Sequence, residues 1–313
     1  MKVLNFEDYD KYSVKLTMTY QLNYYFKTTQ LVSILKDICN SVGINFDDYI
    51  NASIMALYRN FCLRQQNENQ EGVYQEFFQT KYFKFHDLNK VMKVLVRFFY
   101  RLKVYTNHED LTFSLNADTN QPSKLIITLK KEGESENEFY LNMNKVFEHN
   151  YSYSNLIMKA TGIKDNAKYT EDMLMRNPFT EQDVESIKSR TNFDGDEIKE
   201  FIKDKFLDYS NVLNFVKKPD YMRLEVDTFN NFGISYNIFL CTFSRKEITA
   251  YIKFCIGMTE RGLNLNRVGK VKESENHKFT MRNLIRKLGF NGDYNSDVRF
   301  FMLKNLTGNS AKR

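Results

Sequence analysis

The hydrophobic pattern of this chain switches repeatedly between a period of two and a period of about 3.6 residues, and this constrains its fold more than any other feature. "YSVKLTMTY" at 12–20 and "SKLIITLKK" at 123–131 alternate as half-buried strands do. "HDLNKVMKVLVRFFYRLKV" at 86–104 and "RKEITAYIKFCIGMTERGL" at 245–263 instead space apolar residues three and four apart, as amphipathic helices do. Strand–helix units at both ends, with more strands between them, predict an α+β fold with an antiparallel sheet covered by helices.

The remaining segments extend this prediction. We expect a helix over 28–43, a second helical or mixed segment over 46–66, a loop at "NENQEG" (67–72) and further strands at 110–117 and 232–243. The predicted stripe of the 86–104 helix holds these residues: Leu88, Val91, Met92, Leu95, Val96, Phe99 and Leu102.

Composition indicates a folded chain with one basic region. At 42% hydrophobic and 15% aromatic, the 313 residues are unlike a disordered protein and suffice for a sizeable core. Residues 261–313 hold twelve Lys and Arg against four Asp and Glu, a net charge of +8. The whole chain carries +6, so residues 1–260 sum to −2. A local excess of positive charge favours an anionic partner but says nothing about fold.

Cysteine usage and the N-terminus favour a cytoplasmic protein without a membrane span. Four widely spaced cysteines, with no CxxC pair, predict reduced thiols and no zinc site. "MKVLNFEDYDKYSVK" mixes acidic, basic and aromatic residues and does not resemble a signal peptide. No apolar run approaches the roughly 18 residues that a membrane helix needs.

The common catalytic and phosphate-binding motifs are absent from the sequence. It contains no GxGxxG, no GxxxxGK[ST], no GxSxG and no HExxH. The four histidines lie far apart, and a surface or hydrogen-bonded histidine is the preferred interpretation of each: His86, His108, His149 and His277.

Read together, several segments resemble the amidoligase family, which are ATP-dependent carboxylate–amine ligases with a glutamine synthetase-like and γ-glutamylcysteine synthetase-like fold. "FSRKEITAYIKFCIGMTERGLN" is similar to the family's helix after its last sheet strand, and "KFTMRNLIRKLGFNGDYNSDVRFFMLKNLTGNSAKR" to the tail that often follows it. "NLIMKATGIKDNAKYTEDM" and "KFHDLNKVMKVLVRFFYRLKV" resemble two further family helices. The resemblance implies an amidoligase-like domain over 1–264, a basic two-helix extension over 265–313, and a source in a phage or other mobile element.

The resemblance also implies that the chemistry has been lost. The family's first strand carries Gly-x-Glu-x-Glu, where this chain has Ser13, Lys15 and Thr17. Its His-x-His strand and its Glu-Phe-Arg strand correspond to "DLTFSLNA" and "SYN". Mg²⁺ prefers carboxylate ligands, and a lysine in place of a glutamate would repel it. We therefore expect no cofactor, with ATP and Mg²⁺ only if the site were still active. The degenerate positions are Lys15, Thr17, Thr112, Ser114, Ser235 and Asn237.

Three functions remain open at this point. The first is a non-catalytic, amidoligase-like protein that acts by binding a protein partner or nucleic acid. The second is a nucleic-acid-binding regulator that uses the two tail helices as a helix-turn-helix. The third is an active ligase with a rearranged site. In an unrelated fold, the six degenerate positions would be ordinary strand residues.

The tail is predicted to pack through apolar residues and to leave its basic residues outside. The packing residues would be Met281, Leu284, Ile285, Leu288, Phe300, Leu303 and Leu306. Ser296, Asp297 and Arg299, at the start of the second tail helix, are poorly suited to reading bases. The residues expected to contact a polyanion are Arg267, Lys270, Lys272, Lys278, Arg282, Arg286, Lys287, Arg299 and Lys304.

Overall fold

A computed structural model gives the architecture of the chain as α+β, with antiparallel strand pairs and several helices. It describes residues 4–22, 27–51, 60–66, 69–105, 111–112, 124–132, 142–162, 224–227, 233–242, 244–267 and 275–309, together with positions 182, 197, 200, 201 and 204. The chain divides into two compact units. Unit 1 comprises Met1–Tyr12, Thr128–Ile238 and Ala250–Arg313, and unit 2 comprises Ser13–Ile127 and Phe239–Thr249.

The described helices and strands are interspersed along the sequence. The helices are α1 (Phe6–Tyr9), α2 (Thr28–Val42), α3 (Phe46–Tyr49), α4 (Leu88–Tyr105), α5 (Met143–Tyr151), α6 (Ser154–Thr161), α7 (Arg245–Leu263), α8 (His277–Lys287) and α9 (Ser296–Leu303). The strands are β1 (Tyr12–Leu22), β2 (Asn60–Gln66), β3 (Asn69–Gln79), β4 (Phe83–Lys84), β5 (Leu111–Thr112), β6 (Lys124–Lys131), β7 (Leu224–Asp227) and β8 (Gly233–Leu240).

Unit 2 is built around β1 and two packed helices. The strand order is β2–β3–β1–β6, and β4 and β5 also pair with β1. The β1–β3 pairing is antiparallel, with Thr17 opposite Gln79. Gly43 caps the C-terminus of α2, and its φ of 75° lies in the left-handed region typical of that position. Helix α2 packs on α4. The phenylalanines Phe78, Phe98 and Phe99 form an aromatic cluster at the core of this unit.

Unit 1 surrounds the C-terminal part of α7. Its strand order is β6–β8–β7, and Val226 of β7 lies opposite Ile234 of β8. All ten residues 250–259 of α7 are buried. A helix that is buried on every side must be enclosed by other elements, and β8, α5, the α8–α9 turn and α9 each contribute to this enclosure.

The contacts around α7 explain how the tail is held. Lys253 donates hydrogen bonds to the Tyr294 carbonyl oxygen (3.0 Å) and to the Asp297 carboxylate (3.0 Å). Gly257 lies against the ring of Phe290, and Gly262 lies against the backbone of Val146 in α5. Glycine is needed at these two positions because a Cβ atom would overlap the neighbour.

The N-terminal segment also holds the tail. The Tyr9 hydroxyl donates to Asn295 Oδ1 (2.9 Å), and the Leu4 amide donates to the Gly289 carbonyl (3.3 Å). On the other side of the tail, Asn305 donates to the Ala160 carbonyl at the end of α6 (2.9 Å). These groups are distant in sequence, so their pairing is a consequence of tertiary structure alone.

The sequence predicted most elements correctly and missed one hairpin. Strands β1, β6 and β8 and helices α2, α4, α7, α8 and α9 lie where the periodicity placed them. The predicted loop at 67–72 is wrong in part, because residues from Asn69 onward belong to β3, which pairs with β2. Polar side chains such as those in "NENQEG" disfavour strands, but the ladder of backbone hydrogen bonds with β2 overrides that local preference.

Two predicted core residues are exposed. Val96 is 41% exposed on α4 although it was placed in the apolar stripe, since it lies at the edge of that stripe. Phe300 is 65% exposed on α9, whereas Met281, Leu284, Ile285, Leu288 and Leu306 are buried as expected and Leu303 is half-buried. The boundary predicted between 264 and 265 stays a prediction.

Substituting Gly257 by alanine tests the packing of the tail on α7. In an exposed helix interior this change stabilises by about 1 kcal/mol. Here the new methyl group would overlap the buried Phe290 ring, so we expect destabilisation by about 1–3 kcal/mol. Urea denaturation of Gly257→Ala, Phe290→Leu and the double variant measures the effect and its coupling. The smaller leucine should recover part of the loss, and a Gly257→Ala protein more stable than wild type would contradict the packing.

Candidate functional site

The side chains that replace the expected catalytic acids lie on a buried polar face of β1. Ser13, Lys15 and Thr17 point to one side of the strand and are only 3–5% exposed, while Val14 and Leu16 on the other side are fully buried. Strand alternation normally separates a buried face from a solvated one. Both faces of β1 are covered, so its polar residues lie in the interior of the protein.

Lys15 is a buried lysine at a position where the amidoligase resemblance predicts a carboxylate. Its Nζ lies 5.2 Å from the centroid of the Tyr82 ring, a cation–π contact. An ammonium group has three donors and no acceptor, so it cannot ligate a metal ion. Its charge would also oppose the approach of Mg²⁺.

Thr17 belongs to a chain of hydrogen bonds between neutral side chains. Gln79 Nε2 donates to Thr17 Oγ1 (2.9 Å), and Asn51 Nδ2 donates to Gln79 Oε1 (3.1 Å). The cross-strand register of Thr17 with Gln79 brings the first pair together. Beside them, the Leu16 amide donates to Thr80 Oγ1 (2.9 Å). These are neutral groups that satisfy one another, which suits a structural role in the interior.

In unit 1, Ser235 and Asn237 form a polar face on β8, as Ser13, Lys15 and Thr17 do on β1. Both are buried, and the Ser235 and Thr128 hydroxyl oxygens lie 2.8 Å apart and share a hydrogen bond. The opposite face of β8 is apolar apart from the Tyr236 hydroxyl, which is 2.7 Å from Thr259 Oγ1 of α7. Ser235 and Asn237 are neutral at all ordinary pH values and provide neither a metal-binding carboxylate nor a cationic group.

Of the two other positions that the resemblance assigns to catalytic residues, the structure describes only one. Thr112 lies in β5, with its backbone opposite Gln21 of β1, and Ser114 lies outside the described residues. Within the described part of the chain, no group of three or more His, Cys, Asp or Glu side chains is close enough together to hold a metal ion. Nor does any helix in that part have the length and apolar character needed to cross a bilayer.

The described cysteines are free thiols. They are Cys39, Cys241 and Cys255. Burial raises the pKa of Cys39 to about 11 and that of Cys241 to about 12. A thiol with a raised pKa is a poor nucleophile near neutral pH, so neither residue is prepared for thiolate catalysis.

The basic residues of the tail separate into an outer stripe and internal contacts. Lys278, Arg282 and Arg286 are four residues apart on α8 and share one face, and Arg282, Arg286 and Lys287 are exposed. Lys304 and Arg267 are also exposed, and Lys304 Nζ lies 5.1 Å from the Phe301 ring centroid. Lys270 and Lys272 lie outside the described residues.

The start of α9 is engaged inside the protein. Arg299 Nη1 donates to the Phe290 and Gly292 carbonyls (3.2 and 2.6 Å), which ties α9 to the turn after α8. Asp297 accepts the hydrogen bond from Lys253 described above. Two of the three side chains that a helix-turn-helix would present to base edges therefore have internal partners.

The sequence predicted a surface or hydrogen-bonded histidine at His149, and this prediction is wrong, because α5 turns the ring into the interior. His149 is 4% exposed on α5, its ring meets Tyr153 edge-on at 5.3 Å, and its Nε2 has no hydrogen-bond partner among the described residues. Burial, with the nearby charges of Arg261 and Lys287, lowers the pKa of His149 to about 4. The helical spacing of Val146, His149 and Tyr153 is the only sequence signal that could have indicated its burial.

The lowered pKa of His149 predicts a loss of stability in acid. The unfolded chain takes up a proton near pH 6.5 and the folded protein only near pH 4. The unfolded state therefore binds more protons between these values, and the free energy of unfolding falls as the pH drops through that window. The contribution is at most about 3 kcal/mol. Chemical denaturation of wild type and His149→Gln at pH 7.5 and pH 4.5 measures it.

The loss of unfolding free energy between pH 7.5 and pH 4.5 should be smaller in His149→Gln than in wild type. It should persist in His86→Gln, because the His86 side chain is half exposed. Equal acid sensitivity of wild type and His149→Gln would show that other groups cause the effect.

Comparison with known proteins finds no match: no protein-family model, no curated protein and no solved structure is significantly similar to this chain. The amidoligase resemblance stays a prediction, and the function must be argued from the chain's own residues.

Proposed function

We propose that this protein is a non-catalytic binding protein with an amidoligase-like fold, encoded by a phage or other mobile element, in which the former ligase face has become part of the interior. The observation that carries the proposal is the pair Lys15 and Thr17. Both are buried on one face of β1, one as a cation against an aromatic ring and the other as an acceptor in a chain of neutral amides.

The chemistry of these groups supports the loss of ATP-dependent ligation. Such ligases bring ATP phosphates to the protein through Mg²⁺ held by carboxylates. Lys15 and Thr17 do not fit that ion, and Ser235 and Asn237 add no carboxylate to β8. We therefore assign no reaction to this face, and the protein would act through its surfaces.

A second candidate is a nucleic-acid-binding regulator that uses the tail, and the exposed stripe on α8 favours it. Three cations at a spacing of four residues form a linear array suited to phosphate contacts. The internal partners of Asp297 and Arg299 argue against base reading by α9. In this second candidate, the tail would hold nucleic acid through its backbone and without sequence specificity.

Calorimetric titration with ATP tests the non-catalytic proposal. We expect no Mg²⁺-dependent heat, because a buried ammonium replaces the metal's carboxylate and the neighbouring hydroxyl is already hydrogen bonded. The same titration in EDTA is the control for metal-independent binding. A micromolar Kd that requires Mg²⁺ would contradict the proposal.

Charge reversal on α8 tests the tail as a polyanion surface. Arg282→Glu with Lys287→Glu changes two exposed residues, so the melting temperature should stay nearly constant. Affinity for mixed-sequence duplex DNA should fall, and the salt dependence should flatten by about 1.8 in log–log slope.

Leu284→Asp is the matched folding control, because it places a charge at a buried site and should unfold the tail. Unchanged DNA binding by the double reversal at low salt would show that the α8 stripe is only a solvated surface. Loss of binding to one sequence alone would favour the helix-turn-helix function.

A further inference from the structure

Helix α4 of unit 2 carries a second cationic surface. The net charge of residues 1–260 does not reveal it. Its 18 residues, "LNKVMKVLVRFFYRLKVY", contain five Lys and Arg and no Asp or Glu. Residues 1–260 are slightly acidic as a whole, so this local excess disappears in the average. The folded helix concentrates the positive charge on one side.

The two faces of α4 differ sharply. The inner face is fully apolar and buried, and it comprises Leu88, Val91, Met92, Leu95, Phe98, Phe99 and Leu102. On the outer face, Lys90, Lys93, Arg97 and Arg101 are exposed at spacings of three and four residues. They follow the helix for about 16 Å at roughly 1.5 Å per residue.

An exposed aromatic ring lies among these cations. Tyr100 is 65% exposed, although the neighbouring Phe98 and Phe99 are buried. Val96, one turn earlier on the same side, is 41% exposed. The outer face of α4 thus combines a row of positive charges with a flat ring open to solvent.

Little of this charge is neutralised. Lys90 pairs with Asp87 (2.9 Å), and Arg101 lies 4.0 Å from Asp37, a pair so exposed that it contributes little. Arg97 donates to the neutral Ser41 hydroxyl (2.9 Å), which positions the guanidinium without cancelling its charge. No ion pair among the described residues involves Lys93.

We propose that the outer face of α4 binds single-stranded nucleic acid, with Lys93, Arg97 and Arg101 on the phosphates and Tyr100 stacked on a base. Cationic tracks with exposed aromatic rings bind single strands in this way, and every base offers a stacking face. A duplex hides its base faces, so it would use the charges but not the ring. Two exposed apolar residues are too few for insertion into a membrane surface.

This surface is independent of the proposed function. It lies on α4, it requires neither the amidoligase resemblance nor the tail, and its probe is a single strand rather than a duplex. If the α4 variants bind oligo(dT) like wild type, the proposal about Lys15 and Thr17 still stands. If the protein binds Mg²⁺-ATP, the proposal about α4 still stands.

The experiment measures fluorescence anisotropy of a labelled oligo(dT) with the full-length protein over a range of salt concentrations. Lys93→Glu with Arg101→Glu should weaken binding at least about tenfold and flatten the log–log salt slope by about 1.4. Tyr100→Ala should weaken it at least about fivefold, and Tyr100→Phe, which keeps the ring, should bind like wild type. All these positions are exposed, so thermal melts should match wild type.

Lys11→Glu with Lys27→Glu is the matched control, since it changes the net charge equally at two exposed lysines that lie on neither α4 nor the tail. Equal weakening of oligo(dT) binding by both double variants would overturn the proposal, because net charge alone would explain it. Wild-type affinity in Tyr100→Ala, or no binding by wild type at low salt, would also overturn it. Equal competition by polyglutamate would overturn it in favour of an acidic protein partner.

Discussion

An ion pair between the buried Lys253 and the half-buried Asp297 sets the arrangement on which the rest of unit 1 depends. Lys253 lies in the middle of the all-buried segment of α7, and its ammonium group is satisfied by Asp297, by the Tyr294 carbonyl and by the Tyr294 ring at 4.3 Å. A buried charge that loses its partner costs several kcal/mol. Helix α7 can therefore be enclosed only when α9 and the turn before it are in place. Gly257 adds a steric condition, since only glycine leaves room for the Phe290 ring. The C-terminal helices are thus part of the core of this unit.

Polar residues of β1 and β8 are likewise bonded to neighbours inside the protein. Thr17 is bonded to Gln79, and Ser235 to Thr128, so these hydroxyls are engaged by neutral neighbours. A catalytic site needs groups whose ionisation or charge is available to a substrate. Burial holds His149 and the Cys39 thiol neutral near pH 7, and the described residues contain no group of three or more His, Cys, Asp or Glu side chains that could hold a metal ion. Among the described residues, positive charge is exposed along the surfaces of α4 and α8.

Those two surfaces differ in what they can recognise. The stripe on α8 consists of cations alone, which suits any phosphate backbone. The stripe on α4 adds the exposed ring of Tyr100, which gives a preference for unpaired bases. Helix α8 belongs to unit 1 and α4 to unit 2, and each surface is formed by residues of its own helix.

The sequence by itself determined the α+β class and the position of most elements, because periods of two and 3.6 residues are local properties that survive in any fold. It also located the positive charge of the tail. Only the tertiary structure decided that the polar face of β1 is buried, since strand alternation predicts two faces but not what covers them. It alone paired Lys253 with Asp297 and Tyr9 with Asn295, which are far apart in the chain. It also buried Phe98, which lies outside the apolar stripe predicted for α4, because the Phe98 ring packs against Phe78 of β3.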